Sequence, residues 1–120
     1  MDKIRYADHC MQELNIPRQH VTRKGYRYRG ELAEQIYYLI HTIPDLNKLC
    51  SNCSMELIIL FLSFYVKSAN TRYRPPEEYN ICKTQGLTTD KYASLLIKLN
   101  KHFMTKQTLA QRVHINSVEE

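Results

Sequence analysis

The sequence predicts an all-α fold, a bundle of five to six helices around one hydrophobic central helix. Three observations predict it. Apolar residues recur at three- and four-residue spacing in several segments, and no segment shows a convincing strand alternation. Ten of the twelve residues in 55–66 are apolar, so that helix would have no polar face and must be sheathed by others. Only three Gly and four Pro interrupt the 120 residues, and they fall between the periodic segments. Hydrophobic residues make up 43% and charged residues 24%, enough for one modest core. This length leaves no room for a large cofactor-dependent enzyme.

The elements follow in order. Ile4, Ala7, Met11 and Leu14 predict a first helix over 3–14, stopped by Asn15-Ile16-Pro17, with Pro17 able to open a short second helix. Residues 22–30 alternate basic with aromatic side chains between two glycines and read as an exposed loop. Leu32, Ile36, Leu39, Ile40 and Ile43 share one face of a helix over 31–43. Glu31 and Glu34 lie in its first turn, and Pro44 ends it. Ser54 is an N-cap for the central helix, 55–69. After a polar link, 70–74, Pro75-Pro76 starts a short helix, 76–84, with Tyr79, Ile81 and Cys82 facing inward. Gln85-Gly86 turns the chain. Thr88 caps a last helix running to about 104, whose buried face would be Tyr92, Leu95, Leu96, Leu99 and Phe103. Residues 1–104 form the domain. Residues 105–120, with a weak helical signal to about 113, read as a tail or linker.

The net charge of +5 is unevenly spread. Residues 18–29 hold five cations and no acid, and residues 67–106 hold eight cations against Glu77, Glu78 and Asp90. Two basic zones on a small body point to a polyanion such as nucleic acid, against the plainer reading of solvated helix faces. In the first zone, Arg23, Lys24, Arg27 and Arg29 alternate with Tyr26 and Tyr28. They form either a stacking and phosphate surface or a loop whose tyrosines pack on the body.

Cys10, Cys50, Cys53 and Cys82 read as reduced thiols. The first residues carry no secretory apolar run, and a helical bundle needs no staples. Cys50-Ser-Asn-Cys53 is half of a zinc pattern without its second half, and the five histidines are scattered. The reading assigns no catalytic residue, metal, cofactor or small-molecule substrate. The longest apolar run is too short to span a membrane.

The informative segment is 78–97. A helix-turn-helix needs a small residue where the helices touch, a Gly in the turn and apolar residues that seat the second helix. Cys82, Gly86, Leu87, Tyr92, Leu95 and Ile97 fit those places. The second helix would present Thr88, Thr89, Lys91 and Ser94 to a major groove, while Lys83, Lys98, Lys101, Arg72 and Arg74 would contact phosphates. The amides at the start of that helix would also favour a phosphate.

These residues carry a family resemblance. Met55-Glu-Leu-Ile-Ile-Leu-Phe-Leu-Ser-Phe-Tyr-Val-Lys67, Arg74-Pro-Pro-Glu-Glu-Tyr-Asn-Ile-Cys82 and Gly86-Leu-Thr-Thr-Asp-Lys-Tyr-Ala-Ser-Leu-Leu-Ile-Lys-Leu99 together resemble one cyclin-type repeat of transcription factor IIB. Leu14-Asn-Ile-Pro17-Arg-Gln-His-Val21 is similar to the segment that opens the family's second helix. The chain departs from the family in a central helix rich in Leu, Ile and Phe rather than Ala, a longer stretch over 17–54, and the absence of a zinc ribbon. The resemblance implies a cyclin-like fold and an initiation factor domain that binds double-stranded promoter DNA and bridges TATA-binding protein and RNA polymerase. If this is a second repeat, Thr88, Thr89, Lys91 and Ser94 take the promoter-reading role. In a first repeat they lose it. The degree of divergence points to a large cytoplasmic DNA virus of the asfarvirus type, and so to an intracellular place of action, in the nucleus or a cytoplasmic virus factory. The competing expectation is a cyclin-type protein adaptor that holds a partner helix beside the central helix without touching DNA.

Overall fold

The computed structural model describes residues 2–16, 28–43, 48, 50 and 52–119, and the side chains of these except 28–31 and 105–119. The described residues are all-helical: α1 (Lys3–Glu13), α2 (Tyr28–Thr42), α3 (Met55–Asn70), a 3-10 turn (Pro76–Glu78), α4 (Asn80–Gln85) and α5 (Thr89–Glu119).

The Asp2 carboxylate accepts from the Arg5 amide at 3.1 Å and starts α1. Its inward face is Ala7, Cys10 and Met11, with Leu14 just beyond, as the periodicity requires. Asn15 closes the helix at φ 60, and the Ile16 amide reaches back to the Met11 carbonyl at 2.9 Å. Leu32, Ile36, Leu39, Ile40 and Ile43 of the second segment are all buried. The Tyr37 hydroxyl donates to the Asp8 carboxylate and ties α2 to α1.

Helix α2 begins earlier than its sequence signals. Residues 28–30, expected in the exposed loop, are its first turn, and Gly30 lies within it. A helical Gly costs about 1 kcal/mol relative to Ala. A buried face that includes Leu32, Ala33 and Ile36 outweighs that cost. Glu31 therefore lies beyond the first residues of the helix. The predicted opening at Pro17, the stop at Pro44 and the rest of the basic loop lie outside the described residues.

Helix α3 is the centre. The Ser54 hydroxyl accepts from the Leu57 amide at 3.1 Å, the expected cap. Nine of its sixteen residues are buried, on every face, with α1 and α2 both packed against it. Among the described residues the one buried polar residue, Ser63, donates to the Ile59 carbonyl at 2.9 Å and so satisfies its hydroxyl. Phe64 is the hub of an aromatic cluster, meeting Tyr92 at 4.8 Å, Tyr79 at 6.1 Å and Tyr73 at 6.2 Å between ring centroids, each edge to face.

Two further expectations change. Cys50 and Cys53 form a disulfide rather than remaining reduced. The Cys53 amide bonds the Cys50 carbonyl in a tight turn, which holds the two Cα atoms 5.4 Å apart, within bridging range. Cys10 and Cys82 are free thiols, both buried. Helix α5 does not stop near 104 but continues to Glu119, a length of about 46 Å. Residues 105–119 contain no Gly or Pro to end it.

Candidate nucleic-acid interface

The candidate site is built on two helices joined by a left-handed glycine. Gly86 closes α4 at φ 77, and its amide and that of Leu87 reach back to the carbonyls of Lys83 and Cys82. Cys82 and Leu87 are buried on either side of the turn, and Ile81 packs inward beside them. Tyr92, Leu95 and Leu99 seat α5, with Leu96 and Phe103 partly buried at the edge. Ile97 does not help to seat it and is 57% exposed. At 100° per residue it lies far around the helix from Tyr92, Leu95 and Leu99.

The first turn of α5 is engaged within the chain. The Thr88 hydroxyl accepts from the Lys91 amide at 3.1 Å, the expected N-cap. The Glu77 carboxylate, twelve residues upstream, accepts from both the Thr89 amide and the Thr89 hydroxyl, the latter at 2.7 Å. Those hydrogen bonds hold the Glu77 carboxyl below its ordinary pKa. The helix start expected to favour a phosphate therefore already carries a carboxylate, and Thr89 has both donors committed. The pairing depends on how the 3-10 turn meets α5, and nothing in the sequence spacing announces it.

Downstream the expected cations align. Lys91, Ser94, Lys98 and Lys101 recur at helical spacing and share one side of α5, roughly a third of a turn from the core stripe. Ser94, Lys98 and Lys101 are exposed and Lys91 is half-buried. Lys83 is exposed on α4. Asp90 is exposed in the first turn of α5 and lowers the net charge there.

Arg72 and Arg74 belong to a different place. Both are exposed, and with Asn15, Lys67, Thr71 and Tyr79 they line a cleft of about 350 Å³ to which no described α5 residue contributes. Lys67 was not among the expected contacts. Its ammonium donates to the Leu14 carbonyl and sits 5.1 Å from the centre of the Tyr79 ring. Of the second basic patch, Arg23, Lys24 and Arg27 lie outside the described residues, as does the side chain of Arg29.

A second concavity, about 590 Å³, lies between α2, α3 and α5 and is lined by Tyr38, Leu39, Tyr65, Val66 and Phe103, among others. Burial pushes the Cys10 thiol up to about 12 and the Cys82 thiol up to about 11, so both are protonated at neutral pH. The described residues hold no group of three or more His, Cys, Asp or Glu placed to share a metal ion. None of the described helices is long and apolar enough to cross a membrane. No family model matches the chain, and neither a curated protein nor a solved structure matches it.

Proposed function

We propose that this chain is a cyclin-like initiation domain of the transcription factor IIB type. It binds double-stranded promoter DNA and bridges a TATA-binding protein and RNA polymerase, in the nucleus or in a cytoplasmic virus factory. The observation that carries this reading is the alignment of Lys91, Ser94, Lys98 and Lys101 along one side of α5, in a helix pair turned at Gly86. A row of cations at helical spacing matches the line of phosphates beside a groove. Lys83 on α4 adds a further contact. Thr89, bonded to Glu77, positions the helix rather than reading a base. Base contact then falls to Ser94 and Lys91. Sequence discrimination through so few groups is modest, and most of the affinity comes from phosphate contacts, with non-specific binding at about 1–100 µM.

Fluorescence anisotropy with a short duplex tests this. Lys91→Ala with Lys98→Ala lowers the slope of log affinity against log salt by about 1–2. An unchanged slope removes α5 from the DNA interface.

The second reading is a protein adaptor without DNA contact. The concavity of about 590 Å³ between α2, α3 and α5 favours it, because Tyr38, Leu39, Tyr65, Val66 and Phe103 give it a largely apolar lining that an amphipathic partner helix could cover.

A further inference from the structure

We propose that the cleft between the ends of α1 and α3 is a receptor for a single phosphoryl group. It stands on the geometry of that cleft and does not require α5 to touch DNA.

Lys67, Arg72 and Arg74 line it, and none of its described lining residues is acidic. Lys67 is held in place. One face of its ammonium is bonded to the Leu14 carbonyl and another approaches the Tyr79 ring, so its charge is fixed in the cleft wall before any ligand arrives. Tyr79 is itself clamped, 8% exposed and edge-on to Phe64.

Two helices end here, and bare C-terminal carbonyls would repel an anion. Some of these carbonyls already accept from donors of the chain itself. Lys67 takes the Leu14 carbonyl at the end of α1. At the end of α3, the Thr71 amide and hydroxyl both donate to the Lys67 carbonyl, at 2.9 and 2.7 Å, and the Asn70 carboxamide donates to the Val66 carbonyl at 2.8 Å.

Asn15 adds a second indication. Its φ of 60 is a conformation in which Gly is the default residue. Asn tolerates it and, unlike Gly, has a carboxamide able to donate to an anion, and Asn15 is one of the residues that line the cleft. Two guanidinium-bearing residues and an immobilised ammonium offer more donors than the two oxygens of one carboxylate can share, and so suit a tetrahedral oxyanion with more acceptor oxygens. The phosphoryl group can belong to a nucleic-acid backbone or end, or be free inorganic phosphate.

The test is a titration of the full chain with inorganic phosphate at constant ionic strength, followed by amide NMR with sodium chloride as control. We expect saturable shifts at Asn15, Thr71, Arg72 and Arg74, with a dissociation constant on the order of 1 mM. Arg72→Gln with Arg74→Gln weakens binding about tenfold or more, a loss of about 1.4 kcal/mol or more. Lys98→Ala with Lys101→Ala leaves it unchanged. Both arginines are exposed, so the double variant keeps the fold, and the wild-type comparison of phosphate with chloride decides the matter without any variant. Absence of a saturable shift, or equal shifts around every lysine-bearing face, overturns the proposal. Duplexes with and without 5′-phosphates identify the source. If R72Q/R74Q removes a preference for the phosphorylated duplex, the cleft takes a terminal phosphate; an equal loss on both assigns it a backbone phosphate. A phosphate site that persists while the α5 variants leave the salt slope unchanged supports this proposal and removes the promoter-reading surface.

Discussion

Gly86 shows how far one backbone angle can be read as an energy. At φ 77 a side chain is strained by the backbone itself, while a Cβ built there meets nothing within 4 Å. Gly86→Ala is therefore an almost pure conformational substitution, costing about 1 kcal/mol. Its thermal midpoint should fall by roughly 4–5 °C with little loss of helicity, which a melt followed by circular dichroism would read. A drop beyond about 10 °C would mean that the turn also carries packing. The two free thiols make a prediction in pH. Cys10 and Cys82 have folded pKa values raised by burial to about 12 and about 11. The unfolded thiols ionise near 8.5. A raised folded value means that the stabilisation is complete below the unfolded pKa and is lost as pH climbs toward the folded values. Urea midpoints should decline from about pH 8 to about pH 11, and Cys10→Ala with Cys82→Ala should flatten that decline although the variant starts lower. An equal slope in both proteins would assign the alkaline loss to other groups.

Helix α3 organises the rest because it has no polar face to spare. Phe64 concentrates this, with Tyr73, Tyr79 and Tyr92 around it from the link, the turn and α5. Phe64→Ala should cost about 3–5 kcal/mol. It should also loosen α5, seen as faster amide exchange around Tyr92, which the Phe64 ring meets, than around Ala7 in α1. Uniform exchange in the variant would show that α5 is held elsewhere. Helix α5 exceeds its sequence signals in a different way. Its amphipathic stripe fades after Phe103, yet the backbone stays helical to Glu119, since continuing a helix costs little where no residue breaks it.

Taken whole, the molecule has a radius of gyration of 16.1 Å, above the roughly 14 Å of a compact chain of this length, as a helix longer than the bundle requires. Its charge separates the two functional readings, because an adaptor has no need of cations at Lys91, Lys98 and Lys101 or at Arg72 and Arg74. The folded chain should stay on heparin at about 0.3 M salt if it binds nucleic acid. Elution well below that would favour the groove between α2, α3 and α5 as the working surface.

Much of this architecture was legible in the residues. Helical periodicity located the cores of α1, α2, α3 and α5, because a burial stripe must follow the helix repeat. Ser54, Thr88 and Gly86 could be placed at helix ends, because caps and left-handed turns are local chemistry. Ile97 is apolar but lies about 140–160° around α5 from Tyr92, Leu95 and Leu99, so its character alone does not place it in the core. The disulfide, the early start of α2 and the pairing of Glu77 with Thr89 each depend on a fold-imposed geometry or on burial that offsets a local preference. So does the cleft, which joins Asn15 to Lys67, Arg72 and Arg74 across more than fifty residues. Spacing along a chain encodes which way each helix faces, whereas the meeting of distant side chains exists only once those helices have packed.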